Sequence, residues 1–246
     1  IVAVPARLES SRLPRKVLAE IGGIPMLRRV LDGARLSQRV MEVVLCTDSP
    51  EISQVACDWG YRVIMTSPEC SSGSERIASV VDQFDADVII NVQGDQPFVD
   101  ANILDSMCEV FDEKGTHIDV VTPIYPMPVE KLASPDAVKV VVAGDGRALY
   151  FSRSVVPHVR GQQPEHATPR GAHWGHVGMY GYRREVLRRW HELRPSRLEE
   201  LEKLEQLRLL DNGISIMTYE IVANSRNTLS VDSPADLELA RQLVNQ

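Results

Sequence analysis

Ile1-Val2-Ala3-Val4-Pro5-Ala6 opens the chain, and its reading decides the fold. The run is short, apolar and free of polar alternation, as expected of a strand covered on both faces in a parallel sheet. Working outward, Met26, Leu27, Val30, Leu31 and Ala34 recur at helical spacing behind Pro25, a residue suited to the first position of a helix. Val43-Val44-Leu45-Cys46 reads as a second strand, Ile52, Val55, Ala56 and Trp59 as a helix face stopped at Gly60, and Arg62-Val63-Ile64-Met65 as a third strand. A helix through Ile77, Val80, Val81 and Phe84 and the strand Val88-Ile89-Ile90-Asn91-Val92 continue the alternation. Strands separated by helices require crossover connections, so this half predicts an α/β fold with a doubly wound, mostly parallel sheet.

After about residue 118 the pattern changes. Val120-Val121-Thr122, Val138-Lys139-Val140-Val141-Val142 and Ala148-Leu149-Tyr150-Phe151 read as strands, the last two joined by a Gly144-Asp145-Gly146 hairpin signal. Strand directions are therefore mixed here, in a smaller α+β subdomain. Residues 160–173 read as a surface loop or lid. One helix is expected from Ser196, carrying Leu198, Leu201, Leu204, Leu207 and Leu210 and stopping at Gly213. The last helix starts at Ser233-Pro234-Ala235-Asp236, a capping-box-like sequence.

Composition narrows the classes. With 246 residues, 43% hydrophobic and 25% charged, the chain suits one soluble domain, and no apolar run nears the roughly 20 residues that span a bilayer. A cytoplasmic protein without membrane insertion is expected. Cys46, Cys57, Cys70 and Cys108 form no C-x-x-C pair and no zinc spacing. The net charge of -7 and the 5% aromatic content disfavour a nucleic-acid partner.

Ligands of open α/β sheets bind beyond the carboxyl ends of the strands, which directs attention to the loops after the first and fourth. The first, Pro5 to Lys16, gathers Arg7, Arg12, Arg15 and Lys16 and contains no glycine, which excludes the G-x-G-x-x-G dinucleotide turn and the G-K-[ST] loop. It reads either as a polyphosphate site or as a solvated basic loop. The second, Asn91-Val92-Gln93-Gly94-Asp95-Gln96-Pro97, leaves Asp95 at the mouth of a buried strand, where it either caps the helix near residue 101 or holds a divalent ion. Asp100 is better placed for the cap, and Gly94 permits close backbone approach. Asp232, expected between a strand and the last helix, faces the same choice. Two carboxylates with a cationic loop match metal-assisted nucleotidyl transfer better than a His or Cys nucleophile. A dinucleotide-binding oxidoreductase fits the alternation but lacks the glycines.

P-A-R-L-E-S-S-R-L-P-R-K at 5–16, G-S-E-R at 73–76, N-V-Q-G-D-Q-P at 91–97, A-L-Y-F-S-R at 148–153, H-V-G-M-Y-G-Y at 176–182, L-E-Q-L-R at 204–208 and V-D-S-P-A-D-L at 231–237 together resemble the 3-deoxy-manno-octulosonate cytidylyltransferases, over the whole chain. The resemblance implies a Rossmann-like nucleotidyltransferase in one domain over 1–246, with a nucleotide-binding half at about 1–117. The half at 118–246 would bind sugar and dimerise, its C-terminal strand and helix returning to the main sheet. It implies transfer of a cytidylyl group from CTP to 3-deoxy-D-manno-octulosonate (Kdo) for lipopolysaccharide assembly, with release of pyrophosphate, by a homodimer. Arg12, Lys16 and Asp95 would be catalytic, with Arg12 and Lys16 on the CTP phosphates. Pro5, Ala6, Arg7, Ser72, Gly73 and Gln93 would also line the nucleotide, and Asp95 and Asp232 would hold Mg²⁺. The sugar would lie against Gln93, Arg153, His176, Tyr180, Glu205 and Gln206, with Arg76 nearby.

Each residue has an ordinary alternative. Arg153 reads equally as an ion-pair partner, and Glu205 and Gln206 as the solvated face of a helix. His176 and Tyr180, with Tyr182, alternate along one expected strand and face one side of it, either a site or a polar sheet face. Arg15 stands where many members of the family have Gly, and Gln96 where many have Glu. A related acidic sugar, 8-amino-Kdo or a sialic-type acid, is the alternative acceptor.

Overall fold

β1 (Val2–Ala6) is buried along its whole length, with Val2, Ala3 and Val4 fully shielded, because a strand lacking a polar face needs cover on both sides. The structure, a computed structural model, describes residues 1–9, 13–161 and 171–244. The chain forms two compact units, one of Ile1–Cys108, Gly181–Trp190 and Asn224–Gln246 and one of Glu109–Tyr180 and His191–Ala223.

In the first unit β1 is followed by a small hairpin, β2 (Glu20–Ile21) with β3 (Ile24–Pro25), and by α1 (Met26–Arg35). α1 buries Met26, Leu27, Val30, Leu31 and Ala34, the residues picked out by spacing, and truncating either leucine to alanine at such a site costs about 2–5 kcal/mol. β4 (Val43–Thr47), α2 (Pro50–Asp58) and β5 (Arg62–Met65) repeat the strand-helix pattern. Ser49 caps α2 by accepting from the Ile52 amide at 3.3 Å, and Gly60, at φ +81°, turns the chain out of it. α3 (Gly73–Ala78), β6 (Val88–Val92) and α4 (Ala101–Lys114) follow. β5, β4, β1 and β6 run parallel in that order. Strands are added on one side of β1 and then on the other, so the loops leaving β1 and β6 diverge and open a crevice between them.

One helix differs from its expectation. The predicted run through Phe84 is the short α3 followed by a 3₁₀ turn at Val81–Gln83. Ser79 Oγ donates to Arg76 O at 2.8 Å, a local bond that competes with helix continuation.

The second unit holds β7 (Val120–Pro126), α5 (Val129–Leu132), β8 (Lys139–Val142), β9 (Ala148–Ser152) and β10 (Trp174–His176). β11 (Met179–Arg183) leads the chain back to the first unit, where α6 (Arg184–Arg188) lies. The remainder of the second unit is α7 (Arg197–Glu202), α8 (Gln206–Asp211) and β12 (Ile216–Glu220). β7, β10, β8 and β9 pair antiparallel in that order, while β12 joins β7 in parallel. Directions are mixed, as read from the sequence. The β8–β9 turn is the expected glycine hairpin, with Gly146 at φ +90°.

Three further readings are corrected. The single helix from Ser196 is two, broken at Lys203, whose φ is +55°. Arg153 takes Glu202 O at 2.8 Å and Lys203 O at 3.5 Å, and Arg208 reaches back to the Glu199 carboxylate at 2.7 and 3.0 Å, so the broken ends have partners that helix continuation would have displaced. His176 and Tyr180 do not share a strand: they lie on β10 and β11, separated by a turn in which Met179 N donates to Val177 O at 2.7 Å. No strand precedes Asp232. Val231 instead packs with Ile21, Met26, Leu237 and Ala240, so its apolar signal reports burial against α1 and α9 (Pro234–Val244) rather than pairing. Of the predicted lid, residues 162–170 lie outside the described residues.

Candidate active site

The crevice between the β1 and β6 loops is a cleft of ≈ 250 Å³, open to solvent and contained in the first unit. Pro5, Ala6 and Arg7 form one wall, Gln93, Gly94 and Asp95 another, and Cys70 to Gly73 a third. Glu9, Lys16, Val17, Arg76 and Asp232 complete it. Close packing of backbone makes this possible. A Cβ on Gly94 would stand 3.0 Å from Pro5 O, and one on Gly73 would stand 2.8 Å from the Gln93 amide and 3.0 Å from Pro5.

Lys16 is the electrostatic centre. Its ammonium donates to Asp95 Oδ2 at 2.7 Å, Asp232 Oδ1 at 2.9 Å and Val231 O at 3.2 Å. Burial lowers the Lys16 pKa, but the charges and hydrogen bonds of Asp95 and Asp232 outweigh it and leave it above the ordinary value. Other residues cap the two neighbouring helices. Asp100 Oδ1 accepts from Asn102 N at the start of α4, and Ser233 with Asp236 closes the capping box of α9, Ser233 N to Asp236 Oδ2 at 2.8 Å and Asp236 N to Ser233 Oγ at 3.3 Å. Asp95 and Asp232 instead converge on the Lys16 ammonium at the cleft.

Gln93 is held from behind. Its Nε2 donates to Asn91 Oδ1 at 2.8 Å, Asn91 Nδ2 donates to Ser74 Oγ at 3.1 Å, and Ser74 lies 3.0 Å from the Tyr182 hydroxyl. Asn91, Ser74 and Tyr182 are fully buried, so this polar chain orients the amide that faces the cleft. Ser72 Oγ accepts from Glu75 N at 3.1 Å, which starts α3 at the cleft wall. Arg76 is buried, with Nη2 on Asp48 at 3.1 Å and Nη1 on Thr66 and Ser67 O. Arg15, left-handed at φ +57°, pairs outward with Glu51. The Gln96 side chain is buried, its Oε1 without a hydrogen-bond partner among the described residues. Arg12 lies outside the described residues.

The other expected residues belong to the second unit. Arg153 Nε donates to Glu202 O at 2.8 Å and Nη1 to Pro135 O at 2.9 Å, so its guanidinium is held by backbone carbonyls as well as lying near the Glu202 charge. Tyr180 is buried and its ring meets that of His176 at 5.3 Å, while Phe151, two residues before Arg153, meets His176 at 5.0 Å. Gln206 is buried, contrary to a solvated helix face, and its Nε2 has no hydrogen-bond partner among the described residues. Glu205 precedes it as the cap of α8, two residues beyond the Lys203 carbonyl that Arg153 reaches. Asp48 and Thr66, which hold Arg76, escaped sequence reading because nothing in their spacing marks them, whereas Ser74 and Asn91 fall inside the motifs at 73–76 and 91–97. Lys139 did carry a signal, a charge inside a run of valines.

Residues 1–216 match the family described as Cytidylyltransferase. The chain is 42% identical over 241 residues to the 3-deoxy-manno-octulosonate cytidylyltransferase of Acidobacterium capsulatum, covering 98% of this chain and 94% of that one. The chain belongs to the 3-deoxy-manno-octulosonate cytidylyltransferases. The family's Chlorobium limicola member is 41% identical over 248 residues, covering 100% and 97% of the two chains. A solved CMP:2-keto-3-deoxy-manno-octonic acid synthetase complexed with CTP superposes with a TM-score of 0.91 at 38% identity, covering 100% and 98%. The same fold recurs in a putative glucose-1-phosphate thymidylyltransferase from Bacillus anthracis, at TM-score 0.66 and 15% identity over 100% of this chain and 95% of that one. Membership in this cytidylyltransferase family places the chain among nucleotidyltransferase enzymes.

Proposed function

We propose that this enzyme transfers the cytidylyl group of CTP to the C2 hydroxyl of Kdo, giving CMP-Kdo and pyrophosphate. The observation that carries the reading is the convergence of Asp95, Asp232 and Lys16 at the switch point of the sheet, in a chain whose full-length relatives carry this name. Lys16, and Arg12 by family resemblance, would counter the charge of the triphosphate and of the departing pyrophosphate. Gly94 and Gly73 let the cleft walls pack closely against Pro5 and Gln93, which shapes the surface that Pro5, Ala6, Arg7 and Ser72 offer to the nucleotide, and Gln93 presents its oriented amide.

Asp95 and Asp232 suit Mg²⁺. Their oxygens already share one cation, the Lys16 ammonium, and two hard carboxylate donors leave positions for phosphate oxygens and water. An ion held by these two carboxylates would take its remaining ligands from phosphate oxygens and water. When bound, such an ion would neutralise phosphate charge and favour ionisation of the sugar hydroxyl. Arg153, His176, Tyr180, Glu205 and Gln206 are assigned to the sugar, Arg153 to its carboxylate.

A homodimer and a cytoplasmic site of action are part of the proposal. Exposed Leu149, Leu198 and Leu201 offer apolar surface for pairing, and no helix among the described residues is long and apolar enough to cross a membrane. The deciding experiment measures pyrophosphate release with each nucleoside triphosphate, with and without Kdo, for the wild type and Asp95→Asn. CTP with Kdo should be strongly preferred, and Asp95→Asn should lose nearly all turnover while the protein remains folded, any fall in melting temperature from the weakened Lys16 contact being too small to account for the loss. Full activity of the variant at saturating Mg²⁺ removes the metal role. Faster release with 8-amino-Kdo or a sialic acid than with Kdo reassigns the acceptor.

A further inference from the structure

Lys139 begins β8 and exposes none of its surface. An ammonium has three protons, and here each has a carbonyl: Arg153 O at 2.6 Å, Ser134 O at 2.7 Å and Ala137 O at 2.8 Å. Burying an ion against neutral acceptors costs free energy that an apolar residue in the same strand would not. Stability alone therefore gives no reason for a lysine at this place.

The reason lies in what the carbonyls belong to. Ser134 and Ala137 bracket Pro135, whose carbonyl accepts from Arg153 Nη1 at 2.9 Å, and the third carbonyl is that of Arg153 itself. On the opposite side the Glu202 carboxylate accepts from Arg153 N at 2.9 Å and from Ser152 Oγ at 2.6 Å, and Glu202 O accepts from Arg153 Nε. Arg153 is thus fixed at its amide, its carbonyl and its guanidinium. Each of its two terminal nitrogens spends one N–H on these carbonyls and keeps one, so the guanidinium retains two donors for a carboxylate.

We propose that Lys139 is a positioning residue for acid-sugar recognition, tying segment 134–137 and the Arg153 carbonyl together so that the guanidinium is presented already oriented. The inference rests on the reading that Arg153 takes the carboxylate of Kdo. Lys139 also adds a positive charge close to Arg153: burial and then the Arg153 charge lower its pKa, with Glu202 opposing. Preorganisation of this kind is expressed in binding of one substrate, because the ordering is completed before the sugar arrives.

The test is steady-state kinetics of full-length Lys139→Met, which keeps a long unbranched side chain and removes the charge and donors, beside Arg153→Ala and the wild type. Lys139→Met should raise the Michaelis constant for Kdo on the order of tenfold, as expected for loss of orientation in a charged hydrogen-bond pair, with kcat and the constant for CTP within about twofold. If Lys139→Met does not fold, Lys139→Arg keeps the charge but cannot reproduce three tetrahedral bonds, and it should raise the same constant. An unchanged Kdo constant in the lysine variant, where Arg153→Ala raises it, overturns the positioning role while leaving the sugar assignment standing. An unchanged constant in Arg153→Ala overturns that assignment and this inference together. Loss of kcat and of both substrates' affinities in proportion to a lowered melting temperature makes Lys139 merely structural.

Discussion

Thr122 has one hydroxyl proton and several neighbours that could claim it. Met179 O, which can only accept, lies 2.8 Å from Thr122 Oγ1, so the proton goes there and the contact with His176 Nε2 at 2.9 Å must be donated by the histidine. His176 is therefore the Nε2–H tautomer with a bare lone pair on Nδ1. Burial pushes its pKa down to about 3. The unfolded chain binds this proton near pH 6.5 and the native ring does not, so stability rises with pH between about 3 and 6.5 and is fully regained above that. Ring nitrogen NMR should show an unprotonated Nδ1 and no titration between pH 5 and 8, and a midpoint near 6.5 would refute the assignment. At the residue scale, sequence motifs named His176 and Tyr180 but misplaced them on one strand. The turn between them is set by contacts to β7, distant in the chain.

Among the elements, α4 shows how a helix secures a loop it does not follow. Asp105 accepts from Ser37 Oγ at 2.5 Å, Gln38 N at 3.3 Å and Arg39 N at 3.1 Å, pinning the segment that leaves α1 for β4. Burial alone raises the Asp105 pKa, but Ser37, Gln38 and Arg39 outweigh it and hold it below the usual carboxylate value. A depressed native pKa contributes stability above the unfolded value, about 3.9, and loses it as pH falls through the native one. Asp105→Asn should melt below the wild type at pH 7, and the gap should narrow below about pH 4. An equal gap at pH 3 and pH 7 would show that the charge is not responsible. Periodicity located α1 and α2 and the central strands because their stripes or runs are local properties. It failed at Lys203, where the helix ends as Arg153, outside α7, takes up the Glu202 and Lys203 carbonyls at the break.

In the molecule as a whole, a chain of net charge -7 sets Arg7, Lys16 and Arg76 beside Glu9, Asp95 and Asp232 at one cleft within the first unit. CTP with Mg²⁺ should slow amide exchange in residues 6–9, 70–76 and 93–95, segments that border this cleft. Protection confined to the second unit would place the nucleotide elsewhere. The sequence by itself determined the doubly wound order of elements, the mixed second half and the motif residues, because burial pattern, turn chemistry and short motifs are written along the chain. Only the tertiary structure decided that Asp95 and Asp232 share one ammonium, that Gln93 is backed by Asn91, Ser74 and Tyr182, and that Lys139 carries no carboxylate among its hydrogen-bond partners. Lys16 and Asp232 are 216 residues apart, and a hydrogen bond of that span leaves no periodic trace. It forms because the crossovers of the sheet bring both loops to one edge, where a buried ammonium must find oxygens to replace water.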